Sequence, residues 1–177
     1  MIDVDAGSFF AIIVAAAVVA SPAGAVSPNA HQPSLQFIGQ AIIPTGTTFA
    51  GTTIGGLSSI TYDASQNVYY VLSDDQSQIN PARFYTLSID VGPSFDANDV
   101  HFDAVTTLQK PGGGPYPTGG LDPEGLALTK DRELILTSEG NTNTLLAPFV
   151  RRYDLAGTYR GDLPVPGYYL PTADHSS

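Results

Sequence analysis

The chain has 177 residues, with 17 acidic against seven basic side chains and a net charge of −10. That balance disfavours nucleic acid and anionic membrane surfaces as partners, because both repel a strongly negative chain. With no Cys, 18 Gly, 14 Pro, nine Tyr and eight Phe, thiol nucleophiles, thiolate zinc sites and iron–sulfur clusters are excluded, and short strands with turn chemistry are favoured over helix.

The first element is apolar. Phe9 to Ala20 reads FFAIIVAAAVVA, followed by small residues at Ala23 and Ala25. Twelve helical residues rise only about 18 Å, short of a bilayer core of roughly 30 Å. Residues 1–25 are therefore expected to be a signal peptide cut after Ala25, or else an N-terminal anchor, although the leading MIDVDAGS carries Asp3 and Asp5 and no basic residue. This places the mature protein in an exported setting, periplasmic or extracellular. Contact with a membrane is expected only through an uncleaved N-terminal segment.

Residues 26–33 (VSPNAHQP) read as an extended leader, and SLQFIGQAIIP as a first strand. Then come LSSITYD, a turn ASQN, and VYYVLSDD. RFYTLSIDV, a loop GPSFDAND and VHFDAVTTLQ follow. KPGGGPYPTGG is a loop, and beyond it lie EGLAL, a polar turn, LILTS, FVRRYD and TYRGDL. No mature segment of ten or more residues has a helical period; each reads as a short strand.

Two stretches repeat. SSITYDASQNVYYVLSDD and EGLALTKDRELILTSEG are each strand, polar turn and strand, ending in Ser followed by an acid. Those ends are Ser73-Asp74 and Ser138-Glu139, 65 residues apart. Repeated hairpins ending in acids suggest an all-β, β-propeller-like architecture, in which matching strand ends converge on one mouth. At about 40–50 residues per blade, the chain left after residues 1–25 supplies about three blades where a ring closes with 4–8, and residues 34–177 are expected to hold them. The expectation is an incomplete propeller, the N-terminal part of a longer protein.

Asp74, Asp75, Asp122, Glu124 and Glu139 are the candidate metal ligands. Clustered carboxylates repel unless a cation neutralises them, and calcium takes six to eight oxygen ligands. Arg83 is the candidate substrate-binding residue, a fork donor for a phosphate oxygen. A serine triad is not supported. His31 lies in the leader, His175 near the end and His101 in a strand, and GGLSSI is not a nucleophile elbow.

In order, GGLSSITYD, YYVLSDD, ARFYTLSID, PYP with LDPEGLAL, LTSEGN, PFVRRYD and LPVP resemble the phytase-like family, over about Gly55 to Pro166. Its members are described as having esterase-like activity of phytase. The resemblance implies an exported β-propeller related to calcium-dependent propeller phytases, about twice as long as this chain. Asp122-Pro123-Glu124-Gly125 resembles the D-x-E-G calcium element of those enzymes, and Ser138-Glu139-Gly140 its partner at a strand end. The D-A-A-D-D-P-A stretch of true propeller phytases is absent. The expected function is metal-dependent hydrolysis of a small-molecule ester or phosphate ester. A non-enzymatic binding module of the cell envelope and a propeller lactonase are the alternatives.

Overall fold

A computed structural model describes residues 11–19 and 34–172. It is all-β apart from two single 3-10 turns at Ala97–Asp99 and Gly167–Tyr169. In chain order the strands are β1 (Ala11–Val19), β2 (Ser34–Ile43), β3 (Thr48–Phe49), β4 (Thr52–Thr53), β5 (Leu57–Asp63) and β6 (Val68–Ser73). β7 (Arg83–Ile89), β8 (Val100–Thr107), β9 (Pro123–Leu128), β10 (Leu134–Ser138), β11 (Phe149–Tyr153) and β12 (Tyr159–Leu163) follow. Part of the apolar run expected as a signal peptide or anchor thus forms β1, antiparallel to β2 with Ala11 opposite Ile43. The expected cleavage point after Ala25 and the leader 26–33 lie outside the described residues. No helix among the described residues is long and apolar enough to cross a membrane.

Two antiparallel four-stranded meanders dominate, β5-β6-β7-β8 and β9-β10-β11-β12. Alternation within each strand explains how they stack. On β6, Tyr70 and Leu72 face the second sheet, where with Phe84 they meet Leu126, Leu134, Leu136, Phe149 and Tyr153. The intervening Val71 faces the other way and packs with Tyr85, Leu87, Ile43 and Ile54. The first sheet is therefore covered on both faces, and its β6 and β7 are among the most buried strands. Leu108, Tyr116 and Leu121, from the chain joining the sheets, close the shared core.

The first strands of the two sheets lie side by side, joined by side-chain hydroxyls rather than a ladder. The Leu126 amide donates to Ser59 Oγ at 2.9 Å, and the Leu128 amide to Thr61 Oγ1 at 3.1 Å. Ser58 Oγ donates to the Pro123 carbonyl at 3.0 Å. These bonds satisfy backbone groups on an otherwise unpaired strand edge.

The sequence repeat is a structural one. In β5–β6, Leu57 pairs with Ser73 and Ser59 with Leu72, leaving Ser58 as an extra residue. In β9–β10, Pro123 pairs with Ser138 and Gly125 with Thr137, leaving Glu124 as the extra residue. Both hairpins thus carry a β-bulge at the same end, one centred on Ser58 and the other on Glu124.

Candidate metal centre

The bulge decides where Glu124 points. An extra residue on one strand breaks the in-out alternation locally and re-aims its side chain. Gly125, the next residue, has no room for a side chain: a Cβ there would sit 2.5 Å from Thr137 Oγ1. Pro123 begins the strand, a position that needs no ladder donor. The Pro-Glu-Gly sequence is therefore compatible with the bulge, and Glu124 emerges exposed at the strand end.

Two further acids meet it there. Asp74, Asp122 and Glu124 each present a carboxylate oxygen, all within 4.8 Å of one another. Asp74 stands just beyond β6, its amide bonded to the Gly56 carbonyl at 2.6 Å. Ser73 Oγ anchors the same strand end by donating to the Gly55 carbonyl at 2.9 Å. The second hairpin repeats the device: Ser138 Oγ accepts from the Asp122 amide at 2.9 Å, and the Glu139 amide donates to the Asp122 carbonyl at 3.1 Å. Each Ser-acid end is stitched to the chain entering its own sheet, which brings the two ends together.

The electrostatics of the cluster are unfavourable as it stands. Asp74 is pushed up to about 7 by desolvation and then by Glu124, Asp122, a hydrogen bond to Asp122, and Glu139. Glu124 is also raised, by desolvation and then by Glu139 and Asp122. Buried Asp122 receives one compensating bond, from Gln76 Nε2 at 2.7 Å. Asp74 Oδ1 is buried and without a hydrogen-bond partner. Among the described residues, six ion pairs occur and none includes Asp74, Asp122, Glu124 or Glu139.

The donor set fits a hard cation. It is made of carboxylate oxygens, with no imidazole or thiolate, which suits calcium or magnesium rather than softer metals. Calcium–oxygen distances of about 2.3–2.6 Å put opposite ligands about 5 Å apart, a span that matches the cluster. The orphaned Asp74 Oδ1 is the acceptor that such an ion would satisfy.

The five acids named from the sequence are not equivalent. Asp74, Asp122 and Glu124 form the cluster. Glu139 stands beside it, exposed, and acts on both Asp74 and Glu124 through its charge. Asp75 is committed elsewhere. Its carboxylate takes the Ser77 amide at 2.9 Å, the Asn80 amide at 3.2 Å and the buried guanidinium of Arg83. Arg83 in turn donates from Nε to Tyr85 Oη at 2.7 Å and from Nη2 to the Thr53 carbonyl at 2.7 Å. This pair organises the loop after β6 and places Arg83 in the wall of a neighbouring cavity. Gln76, which steadies Asp122 across 46 residues of chain, carried no signal in the sequence.

Arg151 and Arg152 point to opposite sides of β11, as adjacent strand residues must. Arg151 reaches Asp162 and Tyr116, and Arg152 approaches Glu133 at 3.7 Å. His101 is half-exposed near Asp90, away from the acids. His31 and His175 lie outside the described residues.

The phytase-like family model, described as esterase-like activity of phytase, matches residues 52–177. That span takes in both four-stranded sheets and every acid of the cluster. Comparison with curated proteins and with solved structures gives no match.

Proposed function

The chain belongs to the phytase-like family, and from that premise we propose that it is an exported, calcium-dependent hydrolase of phosphate or carboxylic esters. The two meanders are adjacent blades of a β-propeller, and the carboxylate cluster stands at its mouth. One observation carries the reading: four acids gather at one end of the sheet pair with no Arg or Lys to neutralise them. Unpaired carboxylates in so small a space are costly, and a bound cation is the economical reason to keep them.

Asp74, Asp122 and Glu124 would hold the ion, with Glu139 adding negative potential. When bound, calcium supplies positive charge to an ester oxygen as negative charge develops there. The chain's own residues set the conditions. Gln76 fixes Asp122 through its amide, and the two Ser-anchored strand ends hold the acids at fixed separation. Without an ion, Asp74 is the residue that holds a proton near neutral pH. Proton and cation compete for the same place.

The test is thermal unfolding of the whole chain with calcium and with chelator, alongside turnover of p-nitrophenyl phosphate and p-nitrophenyl acetate. A ligand that binds only the native state stabilises it by about 2.7 kcal/mol at a hundredfold excess over its dissociation constant. The expected result is a calcium-dependent rise in the midpoint and turnover that Glu124→Gln abolishes. An unchanged midpoint, or turnover indifferent to chelator, sinks the reading.

A further inference from the structure

Beside the carboxylate cluster, and sharing Asp74 with it, lies a cavity of about 450 Å³. That is within the range of roughly 300–1,000 Å³ usual for small-molecule sites. Its walls include Ile54, Ile79, Gly55 and Gly56, with Gln76 linking it to Asp122. Ile79 is 66% exposed at the rim, an apolar side chain with no evident packing duty. Gly56 has a φ of 54°, and a Cβ there would lie 2.8 Å from the Asp74 carbonyl oxygen, so the wall next to the acids stays bare.

We infer that this cavity takes the apolar body of an ester carrying at most one anionic group, and that this chain by itself binds polyphosphorylated compounds more weakly. The inference rests on the metal-dependent reading above and adds to it the class of substrate. Charge counting leads to it. Four carboxylates face the mouth, and a single divalent cation offsets only two of them. Recognition of several phosphates needs Arg or Lys donors, and all seven basic residues of the chain fall within the described residues. Arg83 alone lines the cavity, and its donors are spent on Asp75, Tyr85 and Thr53. Arg132, Arg151, Arg152 and Arg160 are paired with Asp63, Asp162, Glu133 and Asp154, and Lys110 donates to the Gly113 carbonyl. Lys130 sits in the β9–β10 turn, at the end of that hairpin opposite Glu124. A polyanion would therefore meet residual negative charge with no donor from this chain to offset it, on a chain whose net charge is −10. A ring or short alkyl group would instead cover Ile54 and Ile79.

Binding to the whole chain distinguishes these cases, measured with free calcium clamped and again with chelator. The probes are 1-naphthyl phosphate, inorganic phosphate, tripolyphosphate and uncharged 1-naphthol. With calcium, 1-naphthyl phosphate should bind about tenfold or more tighter than inorganic phosphate, since the ring buries apolar area, and tighter than tripolyphosphate. Ile79→Ser, which removes apolar area without adding charge, should reduce that advantage severalfold more than it changes inorganic phosphate affinity. 1-Naphthol should bind with or without calcium and be weakened in the same variant. Binding of 1-naphthol without any calcium-dependent phosphate binding would overturn the metal reading and uphold the cavity. Tripolyphosphate binding tightest, equal affinity for the two monophosphates, or no naphthyl binding in either condition would overturn the inference.

Discussion

Replacing Asp74 by Asn keeps the shape of the side chain and removes the charge that the cluster tolerates least. Its carboxyl is pushed up to about 7 from 3.8. Three pKa units at 1.36 kcal/mol each set a ceiling of about 4 kcal/mol on the cost of ionising it in the fold. Asp74 is only half-buried, so solvent screening brings the usable figure down to about 1–2 kcal/mol. The folded-state value lies above the unfolded one, so the native chain binds the extra proton. Stability is thus greatest at low pH and is lost as pH rises from near 4 through about 7. Asp63 and Asp154 are shifted the other way, below the usual carboxylate range, so their contributions fade only in acid, while Glu124 is raised and adds to the slope in the same sense as Asp74. Without calcium, the wild-type midpoint should fall between pH 6 and pH 8. Asp74→Asn should unfold about 3–6 °C higher than wild type at pH 8, at about 2–4 °C per kcal/mol for a chain of this size. The variant should lose the larger part of that pH slope and also the calcium-induced rise. Scanning calorimetry at both pH values, with and without calcium, reads all of this. If Asp74→Asn unfolds below wild type at pH 8 in chelator, the carboxylate is making a stabilising contact and the argument fails.

Two further expectations concern the supports of the site. Arg83→Met leaves Asp75 as an unpaired, largely buried charge, so urea unfolding should show a loss of about 3 kcal/mol or more, part of which Asp75→Asn in the same chain restores; a loss under about 1 kcal/mol would mean the pair is solvated. Gly140→Ala should cost about 1–3 kcal/mol and weaken calcium binding, because φ is 78° and its Cβ would lie 2.6 Å from Pro148 N, displacing Glu139. Gly119→Ala, at φ 67° but in open space, is the control and should cost about 1 kcal/mol in strain alone with calcium affinity intact.

The strands were legible where side chains alternate between faces. LSSITYD, VYYVLS and RFYTLSI appear as β5, β6 and β7 because their β-branched and aromatic residues fill one face each of a covered sheet. The repeat was legible too, since Ser73-Asp74 and Ser138-Glu139 take the same place in their hairpins. The paired bulges were not, because an extra residue leaves no mark in an apolar pattern. Glu124 was singled out as an acid at a hairpin end, and again by its D-x-E-G resemblance, while its aim comes from the bulge. Asp75 differs from Asp74 by one position and looked equivalent to it. What separates them is a buried guanidinium from β7, a long-range partner that residue spacing does not reveal. The short β3–β4 hairpin was also missed; it is two residues per strand, held by Thr and Tyr hydroxyls rather than by an apolar face.

The two ends of the sheet pair treat acids differently, and that contrast bears on function more than the cluster alone does. At the end away from the mouth, Asp63 accepts from Ser65, Tyr70 and Arg132, the last reaching across from the second sheet at 2.8 Å. Its carboxyl is held below the ordinary value, first by the Ser65 hydroxyl. The same fold thus neutralises a buried acid completely where it serves only to join the sheets. Sixty-odd residues of offset place Arg132 over Ser65 just as they place Leu126 over Ser59. At the mouth, by contrast, Asp122 receives only a neutral amide, from Gln76. Acids left unpaired at one end of a structure that pairs one at the other are the contrast on which the proposed cation site rests.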